Sequence, residues 1–462
     1  MVATGEFSRG GVPETFRTPG YPLLLVPGIL LGSIEGVTIA LQVLLGCVTI
    51  YLVYRIALLL FELKGPALCA AALCTVEPLS VIWTCVLHTE TLFTTMLTSF
   101  LFFFLRYLAH GSWHNLVVSA LFSAGAAYVR PVAYFIPLFV SLFLIVNFLL
   151  KRAWNRRVFF QIMAYFFIGY GALFAWQMRN AYQTGYWGFA GGLEDNLYYY
   201  TATSILAQVH NIPREEQRKQ MFYLKDEIYA SQLLEQLQWP EVEIRRRLGR
   251  EAFKVIVAHP WELFKLTATS TVWTLGGPGL GTWLEVFGTG WNNTERLSRN
   301  RDITTPVPVP TEDEKFSFLR RSNWTLAGSL LLATVLGSYW IFSLVGVLNG
   351  YVQAREAVIF LVFIAAYMVL IPALQGIGYS RFRLPIMPIL CVFGGGGIWA
   401  ILGRTGEFFT DFRKETRLVT SDPIDQRRTS LPYPRSQNDL SPMRREQFHF
   451  DSPRFKRRAD IF

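Results

Sequence analysis

Charged side chains are scarce in this sequence. Aspartate, glutamate, lysine and arginine make up 16% of its 462 residues, whereas hydrophobic residues make up 52%. A soluble chain of this length needs more charge to cover its surface. The apolar residues also cluster in runs of about 18 or more, the length that crosses a bilayer as a helix. The composition therefore excludes an ordinary soluble domain and predicts an all-α polytopic membrane protein.

Cysteine, metal-binding motifs and nucleotide-binding motifs are equally sparse. The five cysteines lie in apolar runs without ligand-like spacing, which indicates small buried side chains rather than disulfides or a metal site. The sequence contains no HExxH motif, no paired His/Cys motif and no GxxxxGK[ST] loop, which argues against an ATP-driven pump. The "GGGG" run at 394–397 lies inside an apolar run and favours a close helix contact over a phosphate cradle.

We expect about nine transmembrane helices. The apolar stretch 22–32 is too short for a full span and contains Pro27 and Gly28, so it predicts a juxtamembrane or re-entrant helix. Residues 264–284 are a similar borderline case. The nine predicted spans are 36–62, 66–84, 88–107, 114–130, 131–150, 158–176, 327–349, 356–373 and 384–403.

Basic residues orient these spans. The strongest cluster is "KRAWNRR" at 151–157, and the basic tail from Arg404 onward falls on the same side of the membrane. The positive-inside rule makes that side cytoplasmic. The net charge of +10 is then explained by cytoplasmic loops and a cytoplasmic tail, without a nucleic-acid partner. We expect a multi-pass protein of the plasma (inner) membrane, with its C-terminus in the cytoplasm.

The large outer segment is predicted to be mainly helical. Two charged stretches begin at Pro213 and Pro240, carry apolar positions three or four apart, and indicate helices with solvated charged faces. The aromatic run "YWGFAGGLEDNLYYYT" at 186–201 predicts a surface loop, which either stacks on a sugar or simply sits at the membrane interface. Residues 285–326 predict irregular loop, because Pro306, Pro308 and Pro310 resist a helix.

These patterns divide the chain into five segments: an outer loop with a juxtamembrane helix, a six-span block, an outer loop region, a three-span block, and a disordered basic tail that contacts membrane lipid. Their predicted bounds are 1–35, 36–176, 177–326, 327–403 and 404–462.

Several ionisable and aromatic residues fall on the predicted outer face. Ionisable groups at membrane depth are costly and usually mark a site or a partner. Each has a structural alternative, since Arg130, Arg381 and Arg383 can snorkel to lipid headgroups, and Glu90 can cap its own helix. Together they are harder to explain in that way, because they come from segments spread along the whole chain. The set is Arg17, Tyr21, His88, Glu90, Arg130, Arg179, Asn180, Tyr379, Arg381 and Arg383.

Such a set suits a phosphate-bearing lipid headgroup. Arginine forks match phosphate oxygens and stay protonated. A nearby carboxylate, Glu90, can act as a general base toward an acceptor or hold a divalent cation. We therefore expect Glu90 to be catalytic and the other nine residues to bind substrate, with a divalent cation as an optional cofactor.

The order of motifs resembles the bacterial membrane glycosyltransferases of the C-type fold. These include relatives of the protein O-mannosyltransferases (glycosyltransferase family 39) and the ArnT-like aminoarabinose transferases. The motifs that carry the resemblance run from Ala3 to about Arg404: "RTPGYPLLL", "HTETLF", "AGAAYVRPVAYFIPL", "WQMRNAYQTGYWG", "HPWELFKL" and "GYSRFRLPIMPIL".

The resemblance implies transfer of a sugar from a polyprenyl-phosphate donor to a lipid, glycan or protein acceptor on the outer face. It implies donor-phosphate contacts for Arg17, Arg381 and Arg383, and a role for Glu90 in orienting the acceptor or helping a metal. It also implies a first span and an outer-loop catalytic Asp, neither of which this sequence shows, so we expect a truncated start. A flippase for a lipid-linked sugar and a non-catalytic homologue in envelope assembly stay open as alternatives.

Overall fold

The computed structural model describes residues 6–9, 11–229, 240–287, 323–376 and 378–404. The described residues all lie in the first of two units, Met1–Gly406. The predicted tail lies outside them from residue 405 onward.

A short antiparallel pair of strands, β1 (Ser8–Arg9) and β2 (Val12–Pro13), precedes the helices. The seventeen α-helices that the described residues form are α1 (Gly20–Leu30), α2 (Ile34–Phe61), α3 (Lys64–Thr75), α4 (Pro78–Thr84), α5 (Glu90–His110), α6 (Trp113–Val129), α7 (Ile136–Leu150), α8 (Arg156–Thr184), α9 (Gly192–Asn196), α10 (Thr203–His210), α11 (Arg214–Tyr229), α12 (Pro240–Ala258), α13 (Pro260–Gly276), α14 (Leu280–Phe287), α15 (Asn323–Gln353), α16 (Arg355–Leu374) and α17 (Met387–Arg404). Two short 3-10 helices, Pro131–Phe135 and Ser380–Ile386, precede α7 and α17.

The expected all-α membrane fold is confirmed. Within the described ranges, seven helical segments are long and apolar enough to cross a membrane, and an eighth is counted if α3 and α4 form one bent span. The ninth predicted span corresponds to α6, a helix of 17 residues that falls just short of that length. The predicted short helix at 22–32 is α1, although Pro27 lies inside it rather than ending it.

The predicted span 66–84 is broken rather than continuous. The axes of α3 and α4 differ by 56°. Pro78 begins α4, and proline has no N–H to continue the hydrogen-bond ladder of α3. The Glu77 carboxylate accepts hydrogen bonds from the backbone N–H groups of Leu79 (3.2 Å) and Ser80 (2.6 Å), so it caps the new helix.

Glycines let α15 and α17 approach closely, as the "GGGG" run predicts. A Cβ on Gly346 would lie 1.7 Å from the Phe393 carbonyl oxygen, and a Cβ on Gly397 would lie 1.9 Å from that of Phe342. No larger residue fits either position without moving a backbone. This close contact fixes the position of α17. The turn directly before α17, Ser380–Ile386, carries Arg381 and Arg383.

The segment 177–326, predicted to lie on the outer face, differs from its prediction in one respect. The aromatic run at 186–201 is not an open loop, because Leu197–Ala202 forms a π-helical turn in which Tyr198 and Tyr199 are buried. They pack with Met221 and Ile244 in a small apolar core of their own. Tyrosines that fill a core cannot be told by sequence from tyrosines on a surface. Of the predicted irregular loop 285–326, residues 288–322 lie outside the described ranges.

Candidate functional site

Glu90 is the centre of the site. It is the first residue of α5, and only 1% of its side chain is exposed. Arg130 stands at the end of α6, where Pro131 stops the helix, so the antiparallel packing of α5 and α6 brings the two together. Arg130 Nη1 lies 3.1 Å from Glu90 Oε1, and His88 Nδ1 contacts Glu90 Oε2. A buried carboxylate is thus held between a guanidinium and an imidazole.

Aromatic rings enclose Arg130. Its guanidinium carbon lies 5.5 Å from the ring centroid of Phe93 and 5.4 Å from that of Phe382. Burial lowers the pKa of Arg130, and the Glu90 charge raises it in opposition. With 17% of its side chain exposed, Arg130 is largely desolvated, and such a cation depends on its partner for stability. Phe382 lies in the turn before α17. Its contact with Arg130 therefore links the end of α6 to the last span.

Arg381 is a further cation of the site, and its guanidinium lies over two aromatic rings. Its guanidinium carbon lies 5.0 Å from the Phe382 ring and 5.5 Å from the Tyr379 ring. Its Nε is buried and, among the described residues, has no hydrogen-bond partner. Buried donors are almost always bonded in folded proteins, so this Nε is a candidate donor to a bound group.

Tyr21, on α1, lies near Glu90. Its hydroxyl donates to Gln42 Oε1 at 3.1 Å, and Gln42 Nε2 donates to the carbonyl oxygens of Thr84 and Val86, both at 2.9 Å. Burial raises the pKa of Tyr21 to about 12, and the nearby charge of Glu90 adds to this. Arg17 lies one turn earlier, exposed to solvent. The Glu14 carboxylate accepts hydrogen bonds from the backbone N–H groups of Phe16 (2.7 Å) and Arg17 (3.2 Å) and so shapes this turn.

Three predicted substrate-binding residues bond to main-chain carbonyls instead. Arg179 donates to the carbonyl oxygens of Glu14 and Phe7, both at 2.7 Å. The Asn180 amide donates to those of Gly188 and Phe189. The guanidinium of Arg383, 2% exposed, donates to three carbonyls at the end of α13, those of Thr274, Leu275 and Gly277. These contacts favour a framework role, and a substrate role for the three stays a prediction.

The structure therefore brings six of the ten predicted residues together: Tyr21, His88, Glu90, Arg130, Tyr379 and Arg381. Sequence reasoning missed Gln42, whose signal was a polar amide inside an apolar run. It also missed Phe93 and Phe382, which carry no signal beyond their proximity to charged residues. Two arginines of α11, Arg214 and Arg218, lie over the ring of Tyr200, although the pattern indicates a solvated helix face.

The site offers no evident cation-binding set. Within the described ranges, no three His, Cys, Asp or Glu side chains cluster as metal ligands. The two Glu90 oxygens face Arg130 and His88. A divalent cation at this site stays a prediction.

Comparison with known proteins supports the predicted resemblance for the first part of the chain. Residues 17–178 match the family model of dolichyl-phosphate-mannose-protein mannosyltransferases. The matched segment contains Arg17, Tyr21, His88, Glu90 and Arg130. The match does not test the truncated start that the resemblance implies, which therefore stays a prediction.

Two other comparisons complete this picture. No curated protein matches the chain. Among solved structures, the chain is similar to the archaeal oligosaccharyltransferase AglB from Archaeoglobus fulgidus, solved in complex with an inhibitory peptide and a dolichol-phosphate. The identity is 14% and the TM-score 0.45, and the match covers 92% of this chain and 44% of that one. The chain thus spans less than half the length of that protein.

Proposed function

We propose that this chain is a membrane glycosyltransferase that moves a sugar from a polyprenyl-phosphate-linked donor to a hydroxyl of a lipid, glycan or protein acceptor. The observation that carries the proposal is Arg381, whose buried Nε has no partner among the described residues and whose guanidinium lies over two aromatic rings next to the Glu90–Arg130–His88 group. The family match of residues 17–178 supports the same reaction class.

Arg381 binds the donor phosphate in this mechanism. The guanidinium fork fits two phosphate oxygens and stays charged even when partly buried. As the bond between the sugar and the phosphate breaks, negative charge grows on the leaving phosphate, and Arg381 stabilises it. Arg17 is exposed on its turn and is available to the same headgroup from the solvent side.

His88 and Glu90 serve the acceptor. The acceptor hydroxyl oxygen attacks the anomeric carbon, the carbon–oxygen bond to phosphate breaks, and polyprenyl phosphate leaves. The hydroxyl proton passes to His88 Nε2, because Nδ1 is engaged by Glu90. Glu90 orients the ring and stabilises the imidazolium that forms, which requires the carboxylate to stay buried and ionised. A single displacement of this kind inverts the configuration of the sugar.

The site faces the outside of the plasma membrane in this proposal. The basic residues Lys64, Arg106 and Lys151 stand at the ends of spans opposite to Glu90, and positive charge collects on the cytoplasmic side. A donor carried by a polyprenyl lipid reaches the site laterally from the bilayer.

Transfer of a labelled sugar tests the function. Membranes containing the full chain are incubated with a radiolabelled polyprenyl-phosphate sugar and extracted acceptor lipids, glycans and proteins. We expect label in one acceptor fraction with the wild type, and at least tenfold less with Arg381→Gln. The matched control is Lys254→Gln, because Lys254 is an exposed cation on α12 paired with Glu251. Equal transfer by the wild type and Arg381→Gln would overturn the proposal, as would donor binding without transfer to any fraction.

A further inference from the structure

Arg17 is carried by a turn at residues 14–18, the Arg17 turn, whose other polar residues are fixed to the fold. Arg17 itself is exposed, whereas Thr15 and Thr18 have only 6% and 5% of their surfaces exposed. The Thr18 hydroxyl donates to the Val129 carbonyl oxygen at 3.4 Å. The second half of the turn is thus attached to the end of α6, directly beside Arg130.

Arg245, on α12, holds the first half of the Arg17 turn. Its Nη1 donates to the Thr15 hydroxyl oxygen at 2.9 Å, although the two residues are 230 positions apart in the sequence. Its guanidinium carbon also lies 5.7 Å from the centroid of the Phe16 ring. Only 15% of the Arg245 side chain is exposed, so both contacts form in a largely desolvated place. One arginine therefore contacts both residues that precede Arg17.

Two glycines before and at the start of α9 make this approach possible. The Gly191 N–H donates to the Thr15 carbonyl oxygen at 2.9 Å, so the main chain of Thr15 is held as well as its side chain. A Cβ on Gly191 would lie 2.8 Å from Arg245 Nη1, and a Cβ on Gly192 would lie 3.6 Å from the Phe16 ring. A larger residue at position 191 would have to displace the guanidinium that holds Thr15.

The charge of Arg245 is balanced by nearby carboxylates. Its Nε lies 3.9 Å from Asp195 Oδ2, and its Nη2 lies 3.8 Å from Glu241 Oε2. Glu241 is 64% exposed, so that pair contributes little stability, although it helps to direct the guanidinium. With its charge engaged in this way, Arg245 is suited to holding the turn rather than to binding an anion itself.

We propose that Arg245 is a positioning residue for Arg17: by holding Thr15 and Phe16, it fixes the turn so that the Arg17 guanidinium meets the phosphate of the donor. This inference rests on the proposed function, in which Arg17 is available to the donor headgroup from the solvent side. A turn that was not held would have to be ordered when the donor binds, and such ordering weakens binding. The contact with Arg245 supplies that order beforehand.

A double-mutant cycle on donor affinity tests this role. The full chain, in a neutral detergent, is titrated by calorimetry with farnesyl phosphate as a short polyprenyl phosphate. We expect Arg17→Gln to weaken binding about tenfold, because it removes a charge-assisted contact with the phosphate. Arg245→Gln should weaken binding about two- to tenfold, because Arg17 is then present but no longer held. The double variant should bind like Arg17→Gln alone, since a residue that acts through Arg17 has no effect without it.

Two results of this cycle would overturn the inference. Full additivity of the two losses would mean that Arg245 acts on the ligand or on the fold independently of Arg17. Wild-type affinity in Arg245→Gln would mean that the turn needs no such contact.

Substitution of Thr15 tests the same contact from its other end. Thr15→Val keeps the shape of the side chain but cannot accept the hydrogen bond from Arg245, so it should reproduce the loss seen in Arg245→Gln. Thr15→Ser keeps the hydroxyl and should bind farnesyl phosphate like the wild type. Arg250→Gln is the matched control, because Arg250 is an exposed cation on the same helix that pairs with Glu243. Wild-type affinity in Thr15→Val would show that this hydrogen bond is not the cause.

Tryptic cleavage after Arg17 separates the inference from the proposed function, because it requires no ligand. We expect faster cleavage there in Arg245→Gln and Thr15→Val than in the wild type, and an unchanged rate in Arg250→Gln. If the wild type does not bind farnesyl phosphate, the proposed donor is wrong, and faster cleavage in the two variants still upholds the hold of Arg245 on the turn. If farnesyl phosphate binds and Arg245→Gln changes neither affinity nor cleavage, the inference is wrong and the proposed donor stands.

Discussion

Glu90 and Arg130 lie 40 residues apart in the sequence, and their side chains meet at 3.1 Å where α5 begins and α6 ends. The pair joins two neighbouring helices at one edge of the membrane segment and sets the position of His88. The side chains of Glu90 and Arg130 are 1% and 17% exposed, so little water is available to replace a lost partner. The pair is therefore a structural element as well as a part of the site.

Removal of one partner should destabilise the protein strongly. Arg130→Met leaves a buried carboxylate without its cation, and Glu90→Gln leaves a largely buried guanidinium without its anion. Each should cost about 3–5 kcal/mol. The double variant should lose less than the sum of the two, which is measured by thermal unfolding of the full chain in detergent. Strict additivity of the two effects would show that the ion pair does not couple the helices.

The sequence was sufficient to predict the convergence of Glu90, Arg130 and Arg381, and the reason is general. Each of the three residues lies next to a proline or a polar turn. In a chain that crosses the membrane repeatedly, every second turn lies at the same membrane face, so residues in such turns meet there. The roles of Arg179 and Arg383 could not be predicted in this way. Their acceptors are carbonyl oxygens more than 100 residues away along the chain, and carbonyls leave no mark in a sequence.

The arginine pair of α11 shows a second limit of sequence reasoning. Periodicity tells which residues share a helix face, but not what that face is packed against. Arg214 and Arg218 share the pattern of a solvated face with Lys219 one position further on. The π-helical turn that presents Tyr200 to them has no recognisable signature in "LYYYTA".

His88 should be needed for turnover rather than for donor binding. His88→Gln keeps a polar side chain but cannot take up the acceptor proton. We expect kcat to fall by about 10²–10⁴ while farnesyl phosphate binds as before. His114→Gln is a matched control, since His114 lies at the other end of α6 from Arg130. A tenfold loss of farnesyl phosphate affinity in His88→Gln, with kcat preserved, would assign His88 to the donor and not to proton transfer.

Arg381 should not be replaceable by lysine. Lysine keeps the charge but presents a point charge in place of a planar fork, and it stacks less well between Tyr379 and Phe382. We expect Arg381→Lys to raise the KM for the donor on the order of tenfold and to leave the thermal unfolding midpoint close to that of the wild type. Full activity of Arg381→Lys would show that only charge is required there.

The close contact between α15 and α17 should not tolerate a methyl group. Gly346→Ala places a Cβ against the Phe393 carbonyl and forces the helices apart, which should lower the thermal unfolding midpoint clearly. Gly337→Ala is the matched control on the same helix, because no atom lies within 4 Å of its Cβ position. That control should be neutral or stabilising by up to about 1 kcal/mol, from helix propensity alone. Equal midpoints for the two variants would contradict the packing described here.

Replacement of Arg179 should show whether this residue has a framework role or a substrate role. Its guanidinium carbon lies 4.8 Å from the Trp176 ring, and its two hydrogen bonds hold the segment Phe7–Glu14 against α8. Loss of charged hydrogen bonds of this kind costs about 1.5–3 kcal/mol each, so Arg179→Gln should release that segment. We expect faster tryptic cleavage after Arg9 in the full chain, with no change in the KM for the donor. Arg246→Gln, on α12, is the control, because Arg246 is exposed and its hydrogen bond to the Gly185 carbonyl does not involve the strand pair. If Arg179→Gln instead raises the donor KM and leaves the cleavage rate unchanged, Arg179 belongs to the substrate site, as the sequence first predicted.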